Sequence, residues 1–462
     1  MKQTTLKQAA IAAGVAASAL CSISTQAQSA DALLDKLVEK GILTTKEAND
    51  LKREADQGFT KAYQVKSGMP DWVTSLKLSG DFRARYEGNY YENDDPSTRG
   101  FSVQRDRYRY RLRFGAVATL KDNFEVGLRL ASGDAASGFS TANPLSASST
   151  FQDNGSRKGI FVDLAYAKWT ALNNASANAT LTFGKMESPF AFSYNVFDPD
   201  YNPEGLAGQF TYNLSSQHSI KAIGGGFVLD EFSLSTHDPL LVGGQLLLDS
   251  KWSKQLSSSL GAGILGIKSV QSLTNSVVPN INRGNTRSPG NAGGYPTFHF
   301  NPIVGDASLT YTLDSFPCYQ GPFPVKLLGE YLNNPATSTK NEAFMGGVVF
   351  GKAGKKHTWE LSYQYRYLGA NSWYEELPDD DFGAFYGAEQ PNAGFMNATT
   401  NPTGAGFGGG TNVRGHVAKA TYSLTDSLAF IVTYYNAILI NELPAGSKSG
   451  TSHLLVDLVW KF

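Results

Sequence analysis

The chain has 462 residues, with 40 basic and 41 acidic side chains and a net charge of −1. That balance argues against a nucleic-acid binder, which carries a basic excess, and two cysteines are too few for a disulfide scaffold. Beyond residue 30 no apolar run reaches the length of a membrane-spanning helix. The 47 glycines, 22 tyrosines and 27 phenylalanines, set in alternating hydropathy, suit the other membrane-spanning architecture, a closed β-barrel.

Lys2 and Lys7 flank the start of a small-apolar stretch, Ala9 to Cys21, and Thr25-Gln26-Ala27 offers small residues at the −3 and −1 positions of a cleavage site. Residues 1–27 therefore read as a secretory signal peptide, too short in its apolar part to anchor. Ser18-Ala19-Leu20 before Cys21 fits a lipoprotein signal poorly. Cleavage leaves Cys318 as the single cysteine, so no internal disulfide can form. Residues 28–60 are expected to be a short helical segment. Leu33, Leu34, Leu37 and Val38 form one stripe, Gly41 ends that helix as a C′ glycine, and Thr44 with Glu47 opens a second helix as a capping box, with Ala48 and Leu51 on its apolar face. Such a hairpin either docks on a neighbour or folds weakly by itself, since helices of this length are marginal alone. Residues 61–71 read as a linker and residues 72–462 as the barrel.

From there the period is two. In residues 103–120, Arg105, Arg107, Arg109, Arg111 and Arg113 alternate with Tyr108, Tyr110, Leu112, Phe114, Ala116, Ala118 and Leu120. One face is apolar with an aromatic rim and the other carries arginines, over a length that exceeds an ordinary soluble strand. The same alternation recurs at 76–86, 124–130, 359–367 and 454–462. Seven short connections, at 121–123, 173–174, 215–216, 253–254, 317–322, 353–354 and 425–426, alternate with eight longer ones. The longer ones lie at 88–100, 132–158, 188–205, 229–238, 271–299, 333–341, 370–412 and 442–450. The expected fold is all-β, a transmembrane antiparallel barrel of about sixteen strands. Residues 219–229 and 257–268 are glycine-rich and can be read in either register, so 14 or 18 strands stay open.

The end, Leu454-Leu455-Val456-Asp457-Leu458-Val459-Trp460-Lys461-Phe462, resembles the assembly signal of Gram-negative outer-membrane barrels. Residues Leu33 to Thr44 resemble the N-terminal helix of a bacterial family of putative porins, and phosphate- and polyphosphate-selective porins can carry a similar segment. The resemblance implies an outer-membrane location, surrounding lipids and lipopolysaccharide, delivery to the barrel-assembly machinery through the strand ending at Phe462, and a homotrimer. No nucleic-acid partner, cofactor, metal or catalytic residue is expected.

A barrel of this size leaves an aqueous channel. Arg83, Arg85, Arg107, Arg109, Arg111 and Arg129 fall at similar heights on three neighbouring strands and predict one basic wall, with Arg105 and Arg113 on the same face. The third long loop carries Phe190, Phe192, Phe197 and Tyr201 with Asp198, Asp200 and Glu204, and in position it resembles the loop that folds into the lumen of general porins. Arginines facing loop carboxylates would create a transverse field that favours small charged or dipolar solutes. The competing reading has the arginines paired with lumen acids such as Asp81 and Glu125. The expected function is passive diffusion of small hydrophilic solutes and ions, the alternative a porin selective for anions such as phosphate. An outer-membrane enzyme would need a nucleophile or acid–base set that cannot be assembled from these residues, and a structural barrel or adhesin would need a plug. The six histidines show no metal-ligand spacing. The acidic residues of 370–412, Glu375, Glu376, Asp379, Asp380 and Asp381, read as a solvated loop rather than a Ca²⁺ or lipopolysaccharide site.

Overall fold

Alternation of apolar and polar side chains governs the described chain from Val73 onward, and sixteen long antiparallel strands result. The computed structural model describes residues 68–93, 101–134, 147–233, 235–278, 283–288, 293–386, 406–441 and 449–462. The expected signal peptide and helical segment lie outside them. The strands are β1 (Val73–Asn93), β2 (Phe101–Leu120), β3 (Phe124–Gly133), β4 (Gly159–Asn173), β5 (Ala177–Lys185), β6 (Glu204–Asn213), β7 (His218–Val228) and β8 (Leu240–Lys251). They continue as β9 (Leu256–Lys268), β10 (Ile303–Leu313), β11 (Phe323–Asn333), β12 (Glu342–Gly351), β13 (Trp359–Leu368), β14 (Val413–Ser423), β15 (Leu428–Leu439) and β16 (Ser449–Lys461).

Each strand pairs with the next, and β1 pairs with β16 from Asp81↔Lys461 to Asn93↔Ser449, so the sheet closes without an edge. Ser149–Thr150, which pairs with β2, and the separate pair Gly383–Tyr386 with Gly406–Gly409 do not enter the count. The seven short turns join strands at one end and the eight long loops at the other, as the spacing predicts. Apolar side chains point outward along every strand, among them Leu246 on β8 and Ile264 on β9, both well exposed. Near the short-turn end Phe124 stacks on Trp169 at 6.1 Å, and Trp252, Trp359 and Trp460 stand on the same rim. Such a girdle suits the boundary between hydrocarbon and headgroups.

The interior is lopsided. On β6 through β13 the inward side chains near the long-loop end are apolar, including Ile223, Phe227, Leu241, Leu265, Ile267, Val304 and Leu332. Against them lie Phe190, Val196 and Phe197 of the third long loop (186–203), Val270, Leu273 and Phe300 of the fifth (269–302), and Trp373, Tyr374, Leu377 and Phe382 of the seventh (369–412). This inner core settles the two ambiguous strands. Ile220 and Val228 of β7 and Leu260 and Ile264 of β9 face outward, while Ile223, Phe227, Leu265 and Ile267 face the loops. Both faces of these strands are apolar because both are covered, one by lipid and one by loop.

The seventh loop departs from expectation. Its first half is not a solvated acidic segment: Trp373, Tyr374, Glu375, Leu377 and Asp379 are buried inside the barrel mouth. Trp373 Nε1 donates to the Val196 carbonyl at 2.8 Å, and Asp198 N donates to the Leu377 carbonyl at 2.7 Å, which ties the seventh loop to the third. Asn285 of the fifth loop donates to the carbonyls of Ala370 and Trp373. The three loops therefore form one hydrogen-bonded layer, held by aromatic packing that carries no helical or strand period.

Candidate channel constriction

Opposite that layer the wall is polar. On β1 the odd positions Asp81, Arg83, Arg85, Glu87 and Asn89 face inward, and on β2 so do Arg107, Arg109, Arg111 and Arg113. β3 and β4 contribute Arg129 and Asp163. The β3–β4 register shifts between Arg129 and Leu130, leaving Asp163 as the extra residue. A bulge re-aims a side chain, and here it brings the Asp163 carboxylate to 2.5 Å from Arg129 Nε.

The arginines meet carboxylates in sequence up the wall. Arg111 and Arg113 share Asp81 at 3.0 and 2.7 Å, and both reach Asp200 of the third loop, at 3.3 and 3.7 Å. Arg85 binds Asp457 of β16 through two hydrogen bonds of 2.7 and 2.9 Å and lies 3.5 Å from Asp381 of the seventh loop. Higher up, Arg107 and Arg109 converge on buried Glu87, which His453 also approaches at 3.3 Å. Arg105 is exposed beyond them. On β13 Arg366 pairs with Asp379 at 2.6 Å. Glu125 pairs with Lys168 and not with an arginine.

Between this wall and the loop layer lies a cavity of about 630 Å³, bordered by Arg83, Arg85, Arg111, Arg113, Arg129 and Arg366 with Lys419, and by Asp198, Asp200 and Asp379 to Asp381. Of the residues expected at the constriction, Arg83, Arg85, Arg111, Arg113, Arg129, Asp198 and Asp200 are brought together here. Arg105, Arg107 and Arg109 lie outside its lining. Glu204 opens β6, stays largely exposed and pairs with Lys185 at 2.8 Å. Asp200 does not stand across an open gap from the arginines but touches them.

Asp198 turns away from the wall. Its carboxylate accepts the backbone N–H groups of Asp200 at 2.6 Å and Asp380 at 2.9 Å. Burial, then the carboxylates of Asp380, Asp379 and Asp200, holds its pKa well above the ordinary range. Burial and the neighbouring Asp381 and Asp379 likewise push Asp380 up to about 7. Asp381 goes the other way: burial alone would raise it, but Arg85 and His453 hold it below its usual value. Among the described residues, Arg83 and Lys419 are the lining cations with no ion pair. Arg83 is 9% exposed, and its Nη2 donates to Ser148 Oγ at 2.6 Å.

Sequence reasoning did not place Arg366, Lys419, Asp379 to Asp381 or Asp457 at this site. Arg366 and Asp457 carry a legible signal, since each stands on the polar face of an alternating strand. The triple aspartate follows Trp373, Tyr374 and Leu377, the same aromatic character that marks the third loop as one that packs. A second cavity of about 480 Å³ lies nearer the short-turn end, lined by Ser219, Ser257, Ser259, Ser308 and Thr310 with Asp249, Lys251 and Lys326.

Residues 96–299 match the family model described as "Putative porin". No curated relative matches the chain. Among solved structures, OprB of Pseudomonas putida is 12% identical, with 88% of this chain and 97% of that one covered and a TM-score of 0.49. A mutant porin of Rh. blastica is 10% identical over 84% of this chain and all of its own, with a TM-score of 0.37. OpdQ of Pseudomonas aeruginosa is 9% identical over 85% of this chain and all of its own, with a TM-score of 0.38. The match to the family described as "Putative porin" thus runs from just before β2 into the loop ahead of β10, on a closed barrel of sixteen strands.

Proposed function

We propose that this chain is a porin, an outer-membrane channel for passive diffusion of small hydrophilic solutes and ions, with a mild preference for anions. The observation that carries this reading is the cavity between the arginine wall and the loop layer. Its lining acids are either paired with arginine or, at Asp198 and Asp380, disfavoured as anions by burial, while Arg83 and Lys419 form no ion pair among the described residues. Fixed charge of one sign on a narrow aqueous path raises the local concentration of its counter-ion. Affinity has to stay weak for solutes to leave. A pore dedicated to phosphate would need several uncommitted cations at one level, and most of the arginines here are neutralised by carboxylates, so the general reading is favoured.

In this proposal the short turns face the periplasm and the long loops the exterior. The β16 end at Phe462 is the handle for the assembly machinery, lipopolysaccharide surrounds the long-loop rim, and three copies form the working unit. The test is single-channel recording of the mature protein in a planar bilayer across a KCl gradient. Discrete steps are expected, with a reversal potential on the chloride side, and the double variant Arg83→Gln, Lys419→Gln should bring it to or past zero. Folded protein without conductance would overturn the channel, and an unmoved reversal potential would overturn the assignment of those two cations.

A further inference from the structure

The constriction is not polar all round. Facing Arg83 and the arginines of β2, the cavity is bordered by Phe192, Tyr194 and Pro199 of the third loop and by Ile431 and Val459 of the wall. Tyr194 is 45% exposed, and Phe192 and Ile431 are half-buried, so these are surfaces a passing solute meets, with Val459 at 9% exposure forming their backing in the wall. The charged and apolar parts are adjacent by register. Arg83 is the direct cross-strand partner of Val459, and Ile431 pairs with Asp457, two residues from Val459 along β16. Neighbouring strands stand roughly 4.8 Å apart, so Arg83 and the aliphatic pair rise from adjacent backbone positions and border one cavity. Asp457, between them, is committed to Arg85.

A lumen built only for sugars or inorganic ions gains nothing from aliphatic side chains on its bare wall, because water there stays unbound to them. The arrangement gains if the solute has an anionic head for Arg83 and an apolar body to cover Ile431, Val459 and the loop rings. A shallow contact of this kind lowers the barrier to entry without holding the solute. We propose that the preferred solutes of this channel are small carboxylates with an apolar body, an assignment that rests on the channel reading above and names its substrate class. The carboxylate passes Arg83, whose side chain borders the cavity, while the ring or chain slides along the Ile431–Val459 side.

Two anions of one skeleton separate this from plain anion preference: cyclohexanecarboxylate and glucuronate, both six-membered rings bearing one carboxylate. Reversal potentials of the mature protein in planar bilayers are measured at pH 7.5 with each potassium salt set against KCl. Cyclohexanecarboxylate is expected to be several-fold more permeant than glucuronate. The variant Ile431→Asn, Val459→Thr should remove most of that ratio with the chloride-to-potassium ratio unchanged, whereas Arg83→Gln should lower both organic anions together. Retention of the folded, heat-modifiable band is checked first. If the double variant does not insert, Ser362→Val, which extends the apolar side of the same cavity, should raise the ratio. Equal permeability of the two ring acids, or a ratio that neither change moves, overturns the substrate class and leaves the porin standing. Absence of any conductance overturns the channel reading itself.

Discussion

Asp380, packed beside Asp198, changes the charge of the constriction within an ordinary pH range. Both carboxyls have folded-state pKa values above the usual 3.8, because burial and neighbouring aspartates disfavour the anion. The docked loops therefore bind more protons than the free segments between about pH 4 and pH 7, and docking weakens as pH rises through that window. Anion preference should fall between pH 5.5 and 8.5 as the site gains negative charge. Asp380→Asn, neutral throughout, should flatten that change, and a reversal-potential titration with the same slope in variant and parent would sink the assignment. Arg287 and Glu375 present a different case, a fully buried pair at 2.8 Å in which Glu375 also accepts the N–H groups of Arg283 and Asn285 at 2.9 Å. Removing one partner of such a pair costs about 3–5 kcal/mol, since a charge is left in the interior. Arg287→Leu is expected to expose the fifth and seventh loops to proteolysis while the barrel stays folded. Simultaneous loss of the barrel would show that the loops are not an independent layer.

At the scale of elements, the strands and the loops are held by different rules. Glycines on the inner faces of β8 and β9 mark where the loop layer sits. A Cβ on Gly263 would lie 2.4 Å from Phe192 Cζ, and one on Gly243 would lie 2.9 Å from Phe190 Cζ. Gly263→Val should lift the third loop off its seat and raise single-channel conductance, at a cost of about 1–3 kcal/mol for overpacking. Gly305→Val, where a Cβ meets nothing within 4 Å, is the control and should change neither. The contrast explains what was legible. Strand positions, the turn–loop alternation and the inward face of the arginine strands follow from a period of two, which a single sequence displays directly. The descent of the seventh loop does not, because Trp373, Leu377 and Phe382 reach their partners on the third and fifth loops through no repeating spacing. The same reason hides the destinations of Asp200 and Glu204: four residues apart in one acidic run, one meets Arg111 and the other Lys185.

For the whole molecule, the loop layer and the water path divide the lumen between them. The layer rests chiefly on β6 through β13 and reaches Val413 of β14 and Leu439 of β15, while the cavity lies against β1 to β3 and β13 to β16. The aperture is consequently off-centre and borders the seam where the first and last strands meet. That seam joins Asp81 to Lys461, so the wall of the cavity is complete only once the first and last strands have paired. Contacts this distant in sequence are slow to form, and until they do both β1 and β16 present open hydrogen-bonding edges. Arg85 and Asp457 sit on opposite sides of the seam, which makes their bond a late event in assembly. A chain shortened by its last strand would thus lose more than closure: the cavity would lose Leu455, Asp457 and Val459, Arg85 its carboxylate partner, and the exposed edge of β1 would recruit other chains in its place.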